Sequence, residues 1–383
     1  MSGKTILILG GGIGGLTAAR HLRRLLPEVH RVVVIERERK FAACMANMWL
    51  MTGERRDPAE GERRMSDLSA KGIETVEAEI EAIDPAGRTV ETSAGTFTGD
   101  YLVVALGADK RPDSVPGLAE AGLNLYEAGG AVQIRKALEV FTGGRIVVLV
   151  SRTPFACPSA PYEAAFLIDS SLRDRGLRDQ TELALYTPED QPMLVAGPNV
   201  GPELARLLEE RDVELHWEQI ALKLLPDRRK ILFEIADTTY DLLVAVPPHV
   251  VPPVLKECGL VDASGWVPVD PQTLLTAHPG VYALGDVTAV RLANGMFLPK
   301  AGVFADEQAR VVAGNIVADV MGSDRAGYDG RGFCYIETGN GMAAYGSGNF
   351  YALPGPSVTL AAPSARFRRE KAEIERSLLE LWD

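Results

Sequence analysis

The chain has 383 residues, 46 % of them hydrophobic, which allows two or three domains with real cores. A formal net charge of −12 opposes a phosphate backbone as the main partner, so no nucleic acid is expected. Four cysteines are too few for a disulfide scaffold at this size, and none stands in a C-x-x-C pattern, so no metal is expected either.

The start, MSGKTILILG, runs straight into an apolar stretch without an export signal, which reads as cytoplasmic. No apolar run reaches the roughly 18 residues that a membrane span needs. Ile6–Leu9 predicts a strand buried on both faces, and Leu16–Leu25 continues at helical spacing. Between them Gly10, Gly12 and Gly15 supply G-x-G-x-x-G, with Gly14 alongside. Glycine suits the tight turn, the approach of backbone to pyrophosphate and the packing of helix on strand. The helix N-terminus would meet the phosphates with free N–H groups. A second apolar run, Arg31–Ile35, ends at Glu36, where a carboxylate could grip a ribose hydroxyl. The glycines alone are weak evidence. Strand, helix, second strand and acid together point to a dinucleotide.

Phe41–Leu50 is too apolar for a solvated loop and is expected to cover the cofactor or the core; it carries Cys44. Glu54–Arg64 reads as a solvated segment, and Gly72–Asp84 with Arg88–Phe97 as a short β excursion. Tyr101–Ala108, YLVVALGA, is an apolar run closing in a small-residue turn that contains Gly107. Near Lys110–Pro116 the chain is expected to leave its first domain. A helix over Glu127–Phe141 and a strand over Arg145–Val150 then begin a second Rossmann unit. The turn after it, Ser151–Pro158, holds no glycine where a pyrophosphate would need bare backbone. A nucleotide site is expected to be lost here, with Cys157 standing in its place. Helices over Pro161–Leu172 and Gly201–Arg211 follow, with strands at Glu182–Tyr186, Val213–Trp217, Ala221–Leu225, Lys230–Ile235 and Leu242–Val246. Pro247–Pro253 returns to the first domain, and VYALGD at Val281–Asp286 precedes a helix over Ala301–Met321.

Gly10–Gly15, Tyr101–Ala108 and Val281–Asp286 together resemble the FAD-binding pattern of the two-dinucleotide-domain flavoproteins. The resemblance implies an α/β fold of tandem Rossmann-like domains, of the disulfide-reductase-like kind, with a small C-terminal segment. The divisions are then 1–112 and 251–321 for the FAD domain, 113–250 for the second, and 322–383 for the terminal segment. It also implies FAD held by Gly10, Gly12, Gly14, Gly15, Glu36, Gly107 and Asp286, with Asp286 on the ribityl chain. Asp286 reads equally as an N-cap, and both roles are compatible.

Three further stretches narrow the likeness. Cys157–Ala165 resembles the cysteine loop of sulfide:quinone oxidoreductases and of the flavoprotein subunit of flavocytochrome c sulfide dehydrogenases. Leu298–Ala305 resembles their flavin-facing helix start, and Gly332–Glu337 their second cysteine strand. In that family two cysteines flank one flavin face in a redox-active disulfide or polysulfide bridge. Sulfide attacks the bridge and the released thiolate adds to flavin C4a. The positions matching here are Cys157 and Cys334, and Lys300 would stand near the flavin N1–C2=O to stabilise its reduced form.

The residue chemistry agrees. Sulfide is a soft anion with no carbon skeleton to grip, so its site needs a sulfur electrophile more than a shaped pocket. Cys157 precedes an expected helix start with Pro158 at N1, a position whose field favours a thiolate. Glu163 reads equally as an acid or base for sulfide protons and as a plain surface-helix residue. As small buried hydrophobes, Cys157 and Cys334 would be oddly placed, in a proline-rich turn and beside Gly332. Cys258 fits that bland reading. Cys44 divides between a thioether to FAD, as the flavocytochrome subunits carry nearby, and a packed thiol.

The reading is a flavoenzyme that oxidises sulfide to polysulfide or sulfur and passes electrons to a quinone. Alternatives are a c-type cytochrome acceptor, a type-II NADH:quinone reductase and a non-catalytic flavin sensor. The tail offers Phe367, Ile374, Leu378, Leu381 and Trp382 at helical spacing after Arg366, Arg368, Arg369 and Lys371. This suggests peripheral contact with the inner face of the cell membrane, against packing on its own domain or on a second copy in a homo-oligomer.

Overall fold

The apolar runs become strands of two parallel five-stranded sheets in the computed structural model, which describes residues 3–383. The first sheet has the order Val281–Ala283, Tyr101–Val104, Thr5–Leu9, Arg31–Glu36, Glu74–Glu77. All its neighbours pair in parallel, so Leu9, Glu36, Val104 and Ala283 end at one edge. Ile6–Leu9 and Val32–Ile35 are buried without alternation, as expected of strands covered on both faces. One cover is the helix Ile13–Leu25, which packs on Gly302–Met321. Their contact needs small residues: a Cβ on Gly302 would lie 2.7 Å from the Ile13 side chain.

The second sheet runs Leu123–Asn124, Leu242–Val246, Gly144–Val150, Thr181–Tyr186, Val213–His216, again all parallel. A helix over Ala160–Asp174 covers it and is buried for most of its length. The chain ends in an antiparallel sheet of Arg331–Gly339, Met342–Asn349 and Ser357–Ser364. The helix Ala365–Leu379 follows, its first turn capped by the Ser364 hydroxyl, which accepts from the Phe367 N–H at 3.3 Å.

Three local expectations change. The helix after Cys157 starts at Ala160 with Pro161 in its first turn, so Pro158 is outside it and Cys157 is not adjacent to N1. The strand expected to reach Ile235 stops at Leu232, leaving Ile235 fully exposed at a hairpin tip. The apolar side of the tail faces inward: Leu381 is buried, and Trp382 stacks on Phe41 and donates to the Arg64 carbonyl at 2.8 Å. Among the described residues no helix is long and apolar enough to cross a membrane.

Candidate active site

The common edge of the first sheet collects the expected nucleotide residues. Gly10 has φ +101°, and a Cβ there would lie 2.4 Å from the Ala105 carbonyl oxygen. A Cβ on Gly15 would sit 1.9 Å from the Gly10 oxygen, and one on Gly14 would sit 2.3 Å from the Leu284 side chain. Gly12, at the cap of the helix, faces open space, as does Gly107 at φ +69°. The edge therefore combines a closed turn with an open, donor-bearing helix start, the arrangement a pyrophosphate requires. Glu36 accepts from the Gly11 N–H at 2.6 Å and the Glu38 N–H at 2.9 Å, holding its carboxylate across the turn. Asp286 emerges beside Gly285, from the end of the neighbouring strand but one. Burial raises its pKa, with Lys300 and Lys110 opposing.

The corresponding turn of the second sheet is filled by side chains. Phe155 is buried in it, and the Ser151 hydroxyl donates to the Val246 carbonyl at 2.7 Å. The Arg152 guanidinium lies across the turn, bonding the carbonyls of Ser151 at 2.6 Å and Ala221 at 2.7 Å. Past the next strand, the Glu189 carboxylate is engaged by the Tyr162 hydroxyl at 2.5 Å and the Thr187 hydroxyl at 3.0 Å. Nothing in this turn offers the bare backbone of its counterpart.

Instead the turn delivers Cys157 into a cavity of about 360 Å³ that Cys44 and Cys334 also line. Cys157 comes from the second sheet, Cys334 from the terminal antiparallel sheet, and Cys44 from the segment before the helix Ala46–Thr52. Cys157 has φ +47°, an unusual conformation for a side chain of its kind. Contacts on both sides hold it. Its N–H donates to the Lys300 carbonyl at 2.5 Å, and the Tyr126 hydroxyl donates to Ala156 O at 2.6 Å. Cys334 needs Gly346 opposite it, where a Cβ would lie 3.2 Å from its sulfur. The two sulfurs are not bonded to each other in this structure.

The cysteines differ electrostatically from expectation. Burial within the protein mass, then the Glu163 carboxylate, pushes the Cys157 thiol up to about 12, although its sulfur touches the cavity. The same two causes put Cys334 at about 12. The helix field that was to favour a Cys157 thiolate is weak here because Cys157 stands three residues before N1, and the cost of desolvating the thiolate outweighs it. Burial, followed by Asp286, also raises Cys44. Such thiols favour the neutral or disulfide form over a standing thiolate. Cys258 lies apart, with its sulfur on the Leu255 carbonyl at 3.4 Å.

Glu163 is 3 % exposed and belongs to this cavity, not to a surface face. Its carboxylate bonds the ammonium of Lys371 from the tail helix, which also reaches Glu337 at 2.9 Å. Glu337 accepts in turn from Trp49 Nε1 at 2.7 Å and pairs with Arg368 at 2.6 Å. Burial raises Glu163 to about 7, opposed by Lys371 and assisted by Glu337. Lys300 behaves otherwise. Its ammonium turns away from the cavity, donates to the carbonyls of Asp286 at 2.7 Å and Thr288 at 3.1 Å, and lies 3.4 Å above the Trp266 ring. Burial lowers it to about 7, with Asp286 opposing. Its backbone, not its charge, is what meets the Cys157 loop.

Residues that sequence reasoning missed are Tyr126, Trp49, Glu337 and the buried role of Lys371. Glu337 stood at the end of the Gly332–Glu337 stretch, three residues after Cys334, a signal that could have found it. Lys371 read as one of several basic tail residues, and nothing local distinguished it.

Residues 4–302 match the pyridine nucleotide-disulphide oxidoreductase family. The mitochondrial sulfide:quinone oxidoreductase of Mus musculus is 26 % identical over 299 residues, 74 % of this chain and 65 % of that protein's length. The sulfide-quinone reductase of Aquifex aeolicus is 26 % identical over 344 residues, 83 % of this chain and 77 % of that one. The crystal structure of the sulfide:quinone oxidoreductase from the same bacterium superposes with a TM-score of 0.89 at 22 % identity. It covers 99 % of this chain and 91 % of the other, and that likeness establishes the fold. The cofactor that the glycine-rich edge fits is FAD. With a family match over most of its length and both Rossmann-like sheets in place, the chain belongs to the pyridine nucleotide-disulphide oxidoreductase family.

Proposed function

We propose that the chain is a sulfide:quinone oxidoreductase, oxidising sulfide at Cys157 and Cys334 beside FAD and passing the electrons to a quinone. The observation that carries it is the convergence of cysteines from two distant segments on one cavity that a buried Glu163–Lys371 pair also lines. Relatives named for this activity support it. With the two cysteines bridged, HS⁻ attacks one sulfur: a new S–S bond forms, the old one breaks, and the other cysteine leaves as the reduced thiol. The attacked cysteine then holds a persulfide, whose outer sulfur a second HS⁻ removes as a disulfane anion. Two thiols remain, and remaking their bridge releases one electron pair. FAD, when held at the glycine-rich edge, would supply the reversible two-electron acceptance that links this pair to the quinone.

The chain's own residues do the rest. The cavity is lined largely by apolar side chains, which limits the access of water to the persulfide. Desolvation raises both thiols, which favours the bridged over the thiolate form of the pair. In this proposal the chain meets the lipid surface at the inner face of the cell membrane, where the quinone resides. Sulfide added anaerobically to the FAD-loaded protein should bleach the flavin within seconds. NADH at micromolar concentration should not, given the filled turn at Ser151–Cys157. Rapid bleaching by NADH alone would reverse the assignment in favour of an NADH:quinone reductase.

Cys44 belongs to the same proposal as the covalent tether of FAD. It shares the cavity with Cys157 and Cys334 and comes from the apolar segment before the helix Ala46–Thr52. Acid precipitation should then leave the yellow colour in the pellet, and Cys44→Ser should release it to the supernatant. Colour free in the supernatant of the wild-type protein would leave Cys44 as a packed thiol.

A further inference from the structure

Lys371 lies on the tail helix, more than two hundred residues from Glu163 in sequence, yet the two share one buried ion pair beside the cysteines. Lys371 is 5 % exposed, and Glu163 and Glu337 are 3 % each. The groups facing Glu163 are few. Lys371 and, further off, Arg368 come from the tail helix, Glu337 and Cys334 from the strand Arg331–Gly339, and Cys157 from its loop. Glu337 has an indole N–H and the Arg368 guanidinium to satisfy it as well as Lys371. Among the described residues, Lys371 is the one side chain hydrogen-bonded to Glu163. The carboxylate beside the cysteines thus has one cation in direct contact, Lys371, with the Glu337 N–H as its other stabilising partner.

We propose that Lys371 is a positioning residue that keeps Glu163 ionised and turned to the cavity, so that Glu163 is the base that takes the proton of incoming H₂S. The proposal rests on the sulfide reading of this cavity. The proton moves from H₂S to a Glu163 oxygen, HS⁻ is formed where the sulfur electrophile stands, and no electrons change hands in this step. An ammonium at hydrogen-bond distance favours the charged carboxylate, while the neighbouring Glu337 charge disfavours it. The tail helix is on this account part of the active site.

The test is the rate of anaerobic flavin bleaching by sulfide, followed across pH in the FAD-loaded protein and three variants. The ionisation of H₂S contributes the same limb to all of them, so differences between variants report Glu163. Lys371→Met should move the acid limb to higher pH by about one unit or more, since the base loses the cation that keeps it charged. Glu337→Gln should move it the other way, by removing a like charge. Lys371→Arg should restore a limb near that of the wild type. A Lys371 that only held the tail in place would lower the rate evenly and leave every limb where it was, and that result overturns the proposal. Should Lys371→Met fail to fold, Glu337→Gln alone decides, because an unmoved limb there removes the electrostatic coupling. Failure of the sulfide reading would look different: the wild-type protein itself would not bleach at any pH.

Discussion

Cys157→Ala and Cys334→Ala should each lower sulfide-dependent flavin bleaching by about a thousandfold or more while retaining FAD. The size follows from the role. Each thiol is half of the bridge that sulfide opens, so one alone leaves no electrophile, and the double variant should be little worse than either single one. The fold should tolerate both changes. Alanine keeps the Cβ, neither thiol pairs with a charged group, and the Cys157 loop is held by backbone contacts to Lys300 and Tyr126 that survive the substitution. Cys258→Ala serves as the control: its sulfur bonds the Leu255 carbonyl and does not line the cavity, so the rate should not change. Bleaching at the wild-type rate in either active-site variant would refute the two-cysteine mechanism, whatever the second variant did.

Much of this site is legible in the chain because its parts are backbone requirements. Gly10, Gly14 and Gly15 are needed where a Cβ would collide, and such needs leave fixed spacings that a sequence displays. The parallel strands are equally visible, since burial on both faces yields unbroken apolar runs such as Ile6–Leu9 and Leu242–Val246. The charge network was hidden for the opposite reason. Glu163 was already a candidate acid or base, but Glu337 and Lys371 come from a strand and a tail whose meeting with it depends on tertiary packing, and each of those two alone looks like an ordinary surface residue. Lys300 shows the same dependence: it stands just before the helix start, but its ammonium is directed by the Trp266 ring and the Asp286 and Thr288 carbonyls, which lie apart from it in sequence. The Cys157 thiol reversed its expected electrostatics because the helix began later than Pro158 suggested and because surrounding protein, invisible in a local motif, dominates its field.

A chain stopped at Ser364 should fold poorly and lose FAD, with its melting temperature lower by roughly ten degrees or more. An amphipathic tail invites the idea of a detachable membrane anchor, but its apolar residues Ile374, Leu378 and Leu381 line the cavity, and Trp382 is stacked on Phe41. The side left to solvent is charged: Arg366, Glu373, Arg376 and Glu380 all have half or more of their side chains exposed. Removing the helix strips Lys371 from Glu163 and both Lys371 and Arg368 from Glu337, and leaves Arg55 without Glu375, to which it is bound by two contacts of 2.7 Å. Breaking one buried pair by deleting a partner costs about 3–5 kcal/mol. Two stranded carboxylates therefore consume much of the roughly 5–15 kcal/mol by which a domain is stable. Neutralising them offers a check, since Glu163→Gln with Glu337→Gln in the shortened chain should recover part of the lost melting temperature. Sedimentation with anionic vesicles completes the test. If the shortened chain keeps its FAD and its melting temperature but loses vesicle binding, the tail is an anchor, and its packing over the cysteines contributes little to the fold.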